Sequence, residues 1–236
     1  MWRLGTFDRG GTRDALARAA ERAAELEPGL AIDTEMLSGS PVSALLGQAA
    51  GASMLVVGSR GAGGFAAMLL GSASRYLATK APCPVVVARE ETMAVHREIV
   101  VGVRDPEEAA AVLGFAFEEA ALRNARLLAV HAWFLPGVQP AGALTGARRA
   151  AFDLAGVSAT AGERLDAALA PWREKYPQVQ TGWEIVHAHP ARTLSGLSAR
   201  ADLVVLGHRQ GGSAVGSVTY AVLNHAHGPV ATVPSS

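Results

Sequence analysis

The feature that most constrains this chain is an internal repeat. Residues 206–209 (Leu-Gly-His-Arg) repeat residues 57–60 (Val-Gly-Ser-Arg) at an offset of 149. Further on, Gly-Ser at 216–217 repeats Gly-Ser at 71–72 at an offset of 145. Repetition at a nearly constant period means that one supersecondary arrangement is used twice. The sequence therefore predicts two tandem domains rather than one large one.

Strands alternate with helices in both copies. Short apolar runs such as 54–57 and 99–103 are typical of strands that are buried on both faces of a parallel sheet. Helical spacing of alanine, leucine and charge fills residues 12–26, and this alternation indicates an α/β fold. We therefore predict two Rossmann-like parallel-sheet domains with helices on both faces, over residues 1–90 and 97–236, which we call the first and second copies.

A long loop is predicted over residues 134–157, because this segment is rich in glycine, proline and alanine. A helix from about Ser158 to Lys175 follows it. The last strand of each copy is a valine-rich run, at 85–88 and at 230–233. We predict that these two strands pair antiparallel across a pseudo-two-fold axis, within one chain or between two chains of a homodimer; the alternative is that both are ordinary edge strands.

A glycine-rich loop joins the strand at 54–57 to a helix that begins at Gly71. Backbone N–H groups of such a loop, together with those of a helix N-terminus, form an anion site. No lysine follows the last glycine, so a Walker-type phosphate loop is disfavoured. The alternative is that the glycines only shape the turn. The candidate ligand-binding residues are Gly58, Ser59, Arg60, Gly61, Gly71, Ser72 and Ser74.

Composition excludes several classes of protein. Twenty-one basic residues balance 21 acidic ones, which gives no electrostatic reason to expect nucleic acid or an anionic membrane surface as a partner. The single cysteine, Cys83, fits a reducing cytoplasm and is predicted to be a small buried residue. No metal site is expected, because the histidines fall on different elements. No catalytic constellation is recognisable either.

At this point the chain resembles the universal stress protein family in its tandem two-domain form. The likeness rests on the G-x2-G-x9-G-S spacing that starts at Gly58, on the run Ala-Pro-Cys-Pro-Val-Val-Val at 81–87, and on Val-Gly-Val at 101–103. The resemblance implies a five-stranded parallel sheet in each domain, in the order 3-2-1-4-5. Many members of this family bind ATP, with the triphosphate on the glycine loop and the adenine near the ends of strands one and four, whereas others have lost the motif and do not bind it.

The chain departs from this family pattern in both copies. Matching Trp2 to Trp133 leads us to expect that the first copy lacks its N-terminal strand, helix and strand, and that the natural start lies upstream. In the second copy, Gln210 stands where Gly61 stands in the first, and four residues are missing before the helix. Arg104 takes the place of the family's adenine-contacting aspartate, while the next residue along, an aspartate, is predicted to be a helix N-cap. We therefore expect the second copy to be structural and not to bind nucleotide.

The function that these observations favour is a stress-response protein that binds ATP, with or without Mg²⁺, through the glycine loop of the first copy. ATP would be a stabilising or signalling ligand, and at most a slowly hydrolysed one, since no general base is visible. The alternative function is a nucleotide-independent interaction module that works through its dimer surface.

Overall fold

The computed structural model describes residues 2–7, 12–59, 70–89, 94–134, 154–209 and 216–235. They fall into two compact units, Met1–Gly51 and Ala52–Ser236. The predicted contacts at Arg60 and Gly61, and the Gln210 substitution, lie outside the described residues. The division into sequence copies near residue 90 stays a prediction, because the compact units divide at a different place.

The first unit contains a two-stranded parallel sheet and two helices. Its elements are β1 (Trp2–Phe7), α1 (Thr12–Leu26), β2 (Ile32–Leu37) and α2 (Pro41–Ala49). Helix α1 has the predicted bounds, and α2 starts at the predicted proline, whose fixed φ suits the first helical turn.

The strand β1 corrects one expectation about this unit. In β1, Trp2 pairs with Ile32 of β2. The repeat offset of 149 makes Thr181 the counterpart of Ile32, and Thr181 pairs with Leu127 in the second copy. Trp2 therefore corresponds to Leu127 and not to Trp133. The expectation that the first copy lacks its second strand is wrong, because a match based on one tryptophan misplaced the register. The described residues of the first copy contain no counterpart of the second copy's opening strand and helix.

The second unit begins with the end of the first copy. These elements are β3 (Leu55–Gly58), α3 (Ser72–Lys80) and β4 (Val85–Ala88). The second copy then contributes β5 (Glu98–Gly102), α4 (Ala110–Leu122), β6 (Arg126–Trp133), α5 (Leu154–Lys175), β7 (Thr181–His187), α6 (Pro190–Leu197), β8 (Leu203–Arg209), α7 (Ser217–His225) and β9 (Val230–Ser235). Helix α5 begins four residues earlier than predicted, since the segment 154–157 (Leu-Ala-Gly-Val) starts with leucine and alanine, which favour helix.

One seven-stranded sheet runs through this unit in the order β3-β4-β9-β8-β5-β6-β7. Its second-copy part, β9-β8-β5-β6-β7, is the predicted order 3-2-1-4-5 read from the other edge. All pairs are parallel except β4 with β9, which is antiparallel. The predicted α/β fold with a mainly parallel sheet is confirmed.

The antiparallel pair has a symmetric register. Val86 pairs with Ala231, its own counterpart in the repeat, while Val85 pairs with Thr232 and Val87 with Val230. The Thr232 hydroxyl is fully buried and donates to the carbonyl of Ala78 in α3, at 2.5 Å. This joint therefore fixes the end of α3 against the second copy.

Helices cover both faces of the sheet in the second copy. Val101, Val103 and Val205 belong to the main core, together with side chains of α4 and α5. Gly102 faces the other way, since a Cβ there would lie 2.9 Å from Leu194 of α6. Successive strand residues point to opposite faces, so α6 lies on the face opposite to α4 and α5. Cys83 is buried as predicted, and burial raises the pKa of its thiol.

Backbone crowding makes Gly228 a test of this packing. A Cβ at Gly228 would lie 2.7 Å from the carbonyl oxygen of Ser198 and 3.2 Å from that of Ala201. Backbone atoms cannot rotate away, so we expect Gly228→Ala to lower the free energy of unfolding by about 1–3 kcal/mol. Urea denaturation measures the change.

The matched control is Gly196→Ala in α6, where an added Cβ meets nothing within 4 Å. This variant should keep the free energy of unfolding or raise it by up to about 1 kcal/mol, because alanine favours helix. Equal effects of the two substitutions would contradict the packing described at Gly228.

Candidate functional site

The start of α3 shows how the predicted glycine loop is anchored at both ends. The amide of Ser59 donates to the carbonyl of Ala88 at 2.9 Å, and its carbonyl accepts from the amide of Gly71 at 2.8 Å. The Ser74 hydroxyl donates to the carbonyl of Gly58 at 2.7 Å. These contacts hold the end of β3 against the first turn of α3.

These contacts bear on two of the predicted ligand-binding residues. Ser74 already donates its hydroxyl hydrogen, so a contact with phosphate would have to replace the bond to Gly58. Gly71 has a φ of −64°, which any residue can adopt, so positive φ is not the reason for a glycine there. No side chain caps α3 among the described residues, and Ser72 is exposed at its first position. The ligand contacts proposed for this loop stay predictions.

The second copy has the same local structure. The Thr219 hydroxyl, at the repeat position of Ser74, donates to the carbonyl of Gly207 at 3.4 Å. Helix α7 begins after Gly216, again with no side-chain cap among the described residues. Its first amides are therefore not satisfied by a side chain, which is the arrangement that favours an anion.

A cleft of about 390 Å³ lies beside this helix start, within the size range of small-molecule sites. It opens at the carboxyl ends of β5, β6 and β8. Strands β5 and β8 are neighbours, but the chain leaves β5 towards β6 and leaves β8 towards β9 on the other side. Ligands of open α/β sheets bind at such a reversal of strand order.

The cleft has an apolar part and a polar part. The apolar lining consists of Val103, Ala109, Val112, Val130, Ala132, Pro190, Leu194, Leu206 and Val218. The polar lining comes from Arg104, Asp105, Glu108, His208, Arg209, Ser217, Thr219 and Ser235, and Thr79 and Lys80 of α3 complete the wall. An apolar slot beside hydrogen-bond donors and a helix N-terminus suits a flat ring that carries an anionic group.

Glu108 organises the charged side of the cleft. Its carboxylate accepts from Arg209 at 2.7 Å and from Arg104 at 3.1 Å. Hydrogen bonding and charge from Arg209, with a smaller effect of Arg104, lower the pKa of Glu108. The same pair raises the pKa of Arg209. Both guanidinium groups are therefore held at the cleft by one carboxylate that also opposes an incoming anion.

Two neighbouring residues have the roles that the sequence suggested. Asp105 is confirmed as an N-cap, since its side chain accepts from the amide of Glu107 at 3.2 Å, at the start of a 3₁₀ turn over 106–108. Arg104 lies after β5, as predicted, and its guanidinium donates to the carboxylate of Glu108.

His208 is a residue of this site whose role sequence reasoning missed. It is only 6% exposed, and neither ring nitrogen has a hydrogen-bond partner among the described residues. Burial and then the charge of Lys80 lower the pKa of its imidazole. The available signal was its position: a titratable residue follows Gly207 at the end of a buried strand, where the first copy has Ser59.

Comparison with known proteins agrees with the fold. The model of the universal stress protein family matches residues 4–89 and 96–234. A universal stress protein of Mycobacterium tuberculosis is 34% identical over 227 residues, which cover 90% of this chain and 72% of that protein. One from Mycolicibacterium smegmatis is 32% identical over 212 residues, covering 87% and 69%.

Solved structures show the same architecture at lower identity. A universal stress protein from Archaeoglobus fulgidus superposes with a TM-score of 0.59 at 18% identity, covering 99% of this chain and 88% of that one. A Pseudomonas aeruginosa protein gives a TM-score of 0.66 at 16% identity, with 99% and 82% covered. Among the described residues, no helix is long and apolar enough to cross a membrane, and no group of three or more His, Cys, Asp or Glu side chains is placed to hold a metal ion. Two matched segments of one family model, in tandem, show that this chain belongs to the universal stress protein family.

Proposed function

We propose that this protein binds an adenine nucleotide, ATP, in the cleft of the second copy. The observation that carries the proposal is the cleft itself, which joins an apolar slot to the uncapped start of α7 at the reversal of strand order. The slot suits adenine, and the amides of the first turn of α7 suit phosphate. Family membership supports the choice of an adenine nucleotide.

The sequence favoured the first copy as the nucleotide site. Its glycine loop remains a second proposed phosphate site, because α3 also starts without a side-chain cap among the described residues. The cleft of the second copy has the stronger support, since described residues of both copies line it. ATP acts here as a bound ligand and not as a substrate, and Mg²⁺ accompanies its phosphates.

The nucleotide-independent alternative has one observation in its favour. Strand β3 is an edge strand of the seven-stranded sheet, and Val56 on it is 50% exposed, whereas its counterpart Val205 in β8 is fully buried. An exposed apolar edge strand favours association with another chain. In this alternative, the protein forms a homodimer whose size on gel filtration does not change with ATP.

Two matched substitutions separate the two nucleotide sites. Ser217 and Ser72 are repeat counterparts, and both are exposed at the first position of their helix. Glutamate is favourable for the helix there but repels phosphate. We expect Ser217→Glu to weaken ATP binding at least about tenfold, through repulsion at short range. Isothermal titration calorimetry on the full chain, with Mg²⁺, measures the affinity and stoichiometry.

Ser72→Glu is the control for the cleft and the test of the first-copy loop. If that loop also binds, this variant loses one of two ATP equivalents and keeps the other. Unchanged affinity and stoichiometry in Ser217→Glu would show that the cleft is not the site. Absence of ATP binding by the wild-type protein would leave the interaction module as the better function.

Glu108 provides a test by gain of affinity. Because its carboxylate opposes the phosphates and holds two arginines, we expect Glu108→Gln to bind ATP roughly threefold or more tightly at low ionic strength, and less so at high salt. The control is Glu107→Gln, since Glu107 pairs with Arg164 and does not line the cleft. Weaker binding by Glu108→Gln would mean that the arginines need this carboxylate to face the ligand.

A further inference from the structure

The imidazole of His208 is buried in the wall of the cleft without a described partner. A neutral imidazole has one donor and one acceptor, and neither has a partner among the residues that the structure describes. Leaving a buried polar group unsatisfied is unfavourable, and such groups are uncommon in native structures without a functional reason. The first copy has a small serine at the same position, so the fold itself does not require an imidazole there.

The surroundings of His208 are those of an anion site. Gly207 precedes His208 on β8, and its carbonyl accepts from the Thr219 hydroxyl of α7. The start of α7 therefore lies close to His208. The carbonyl of His208 accepts from the Ser235 hydroxyl at 3.2 Å, whereas the ring has no partner in the described part of the chain.

The charged groups around the ring come from three directions. Lys80 lines the cleft from α3, Arg209 from β8, and Arg104, Asp105 and Glu108 from the segment that follows β5. Helices α6 and α7 contribute only uncharged side chains to the cleft. Glu108 is held by the two arginines, so it is not a partner for His208. Burial is the larger cause that lowers the pKa of His208, and the charge of Lys80 is the second.

We propose that His208 contacts the phosphate chain of the bound nucleotide and takes up a proton when the nucleotide binds. This inference rests on the proposed function and adds to it a ligand contact that makes binding depend on pH. In the free protein, burial and Lys80 favour the neutral imidazole. A phosphate placed between the imidazole and the Lys80 ammonium offsets both effects, because it is an anion and a hydrogen-bond acceptor.

The sign of the pH effect follows from these two states. The pKa of His208 lies below its ordinary value in the free protein and is raised in the complex. Between these two pKa values, one proton binds together with the ligand, so the association constant rises as the pH falls, by at most about tenfold per pH unit. Above both values His208 is neutral throughout, and the effect disappears.

The test compares ATP binding by the wild-type protein and by His208→Ser, from about pH 8 to about pH 6. Serine is the residue of the first copy, so the variant is expected to keep the fold. Protonation of ATP itself is common to both proteins and cancels in the ratio of their affinities. As the pH falls over this range, we expect the association constant of the wild type, divided by that of His208→Ser, to rise about tenfold. Uptake of a single proton permits a rise of that size. His225→Ser, at an exposed histidine, should behave as the wild type.

A second measurement does not need the variant. Calorimetry of wild-type protein in buffers of different ionisation enthalpy should show proton uptake with ATP but not with adenosine, which has no phosphate. Equal pH profiles for wild type and His208→Ser, or equal proton uptake with adenosine, would overturn the role of His208 while leaving nucleotide binding intact. Absence of ATP binding at every pH would overturn the proposed function, and this inference with it.

Discussion

The candidate site depends on the parallel pairing of β5 with β8. This pairing places Gly102 beside Leu206 at the centre of the sheet, and from there the chain continues in opposite directions. The cleft lies at the carboxyl ends of these two strands. A Cβ at Gly102 would lie 2.7 Å from a side-chain carbon of Leu206, so a larger residue there would require the leucine side chain to shift.

The antiparallel pairing of β4 with β9 adds a second constraint. It joins the end of the first copy to the sheet of the second, with Val86 opposite its own counterpart Ala231. The buried hydrogen bond from Thr232 to Ala78 holds α3 at this joint. Thr79 and Lys80, which follow directly, therefore reach the cleft of the second copy. Lys80, whose charge acts on His208, therefore belongs to the first copy, whereas His208 belongs to the second.

The sequence predicted the fold well, because the signals for it are local and repeated. Continuous apolar runs such as 99–103 identify buried parallel strands, and the repeat identifies two copies of one arrangement. The sequence failed at β1, where a single tryptophan set the wrong register. Only the pairing of Trp2 with Ile32 shows which strand this is.

The site was less predictable than the fold. The glycine motif directed attention to the first copy, whereas the described cleft lies in the second. Its properties depend on pairs distant in the sequence, such as the hydrogen bond of Glu108 with Arg209 and the effect of the Lys80 charge on His208. A linear pattern does not contain such pairs. The N-cap role of Asp105 was predictable, because capping involves residues two or three positions apart.

The most direct test of the account is to map which backbone amides respond to ATP. In heteronuclear NMR spectra of the full chain, titration with ATP should shift the amides of residues 102–105, 207–209 and 216–219, which line the cleft. Shifts confined to residues 55–59 and 70–74 of the first copy, with the cleft amides unchanged, would contradict the account.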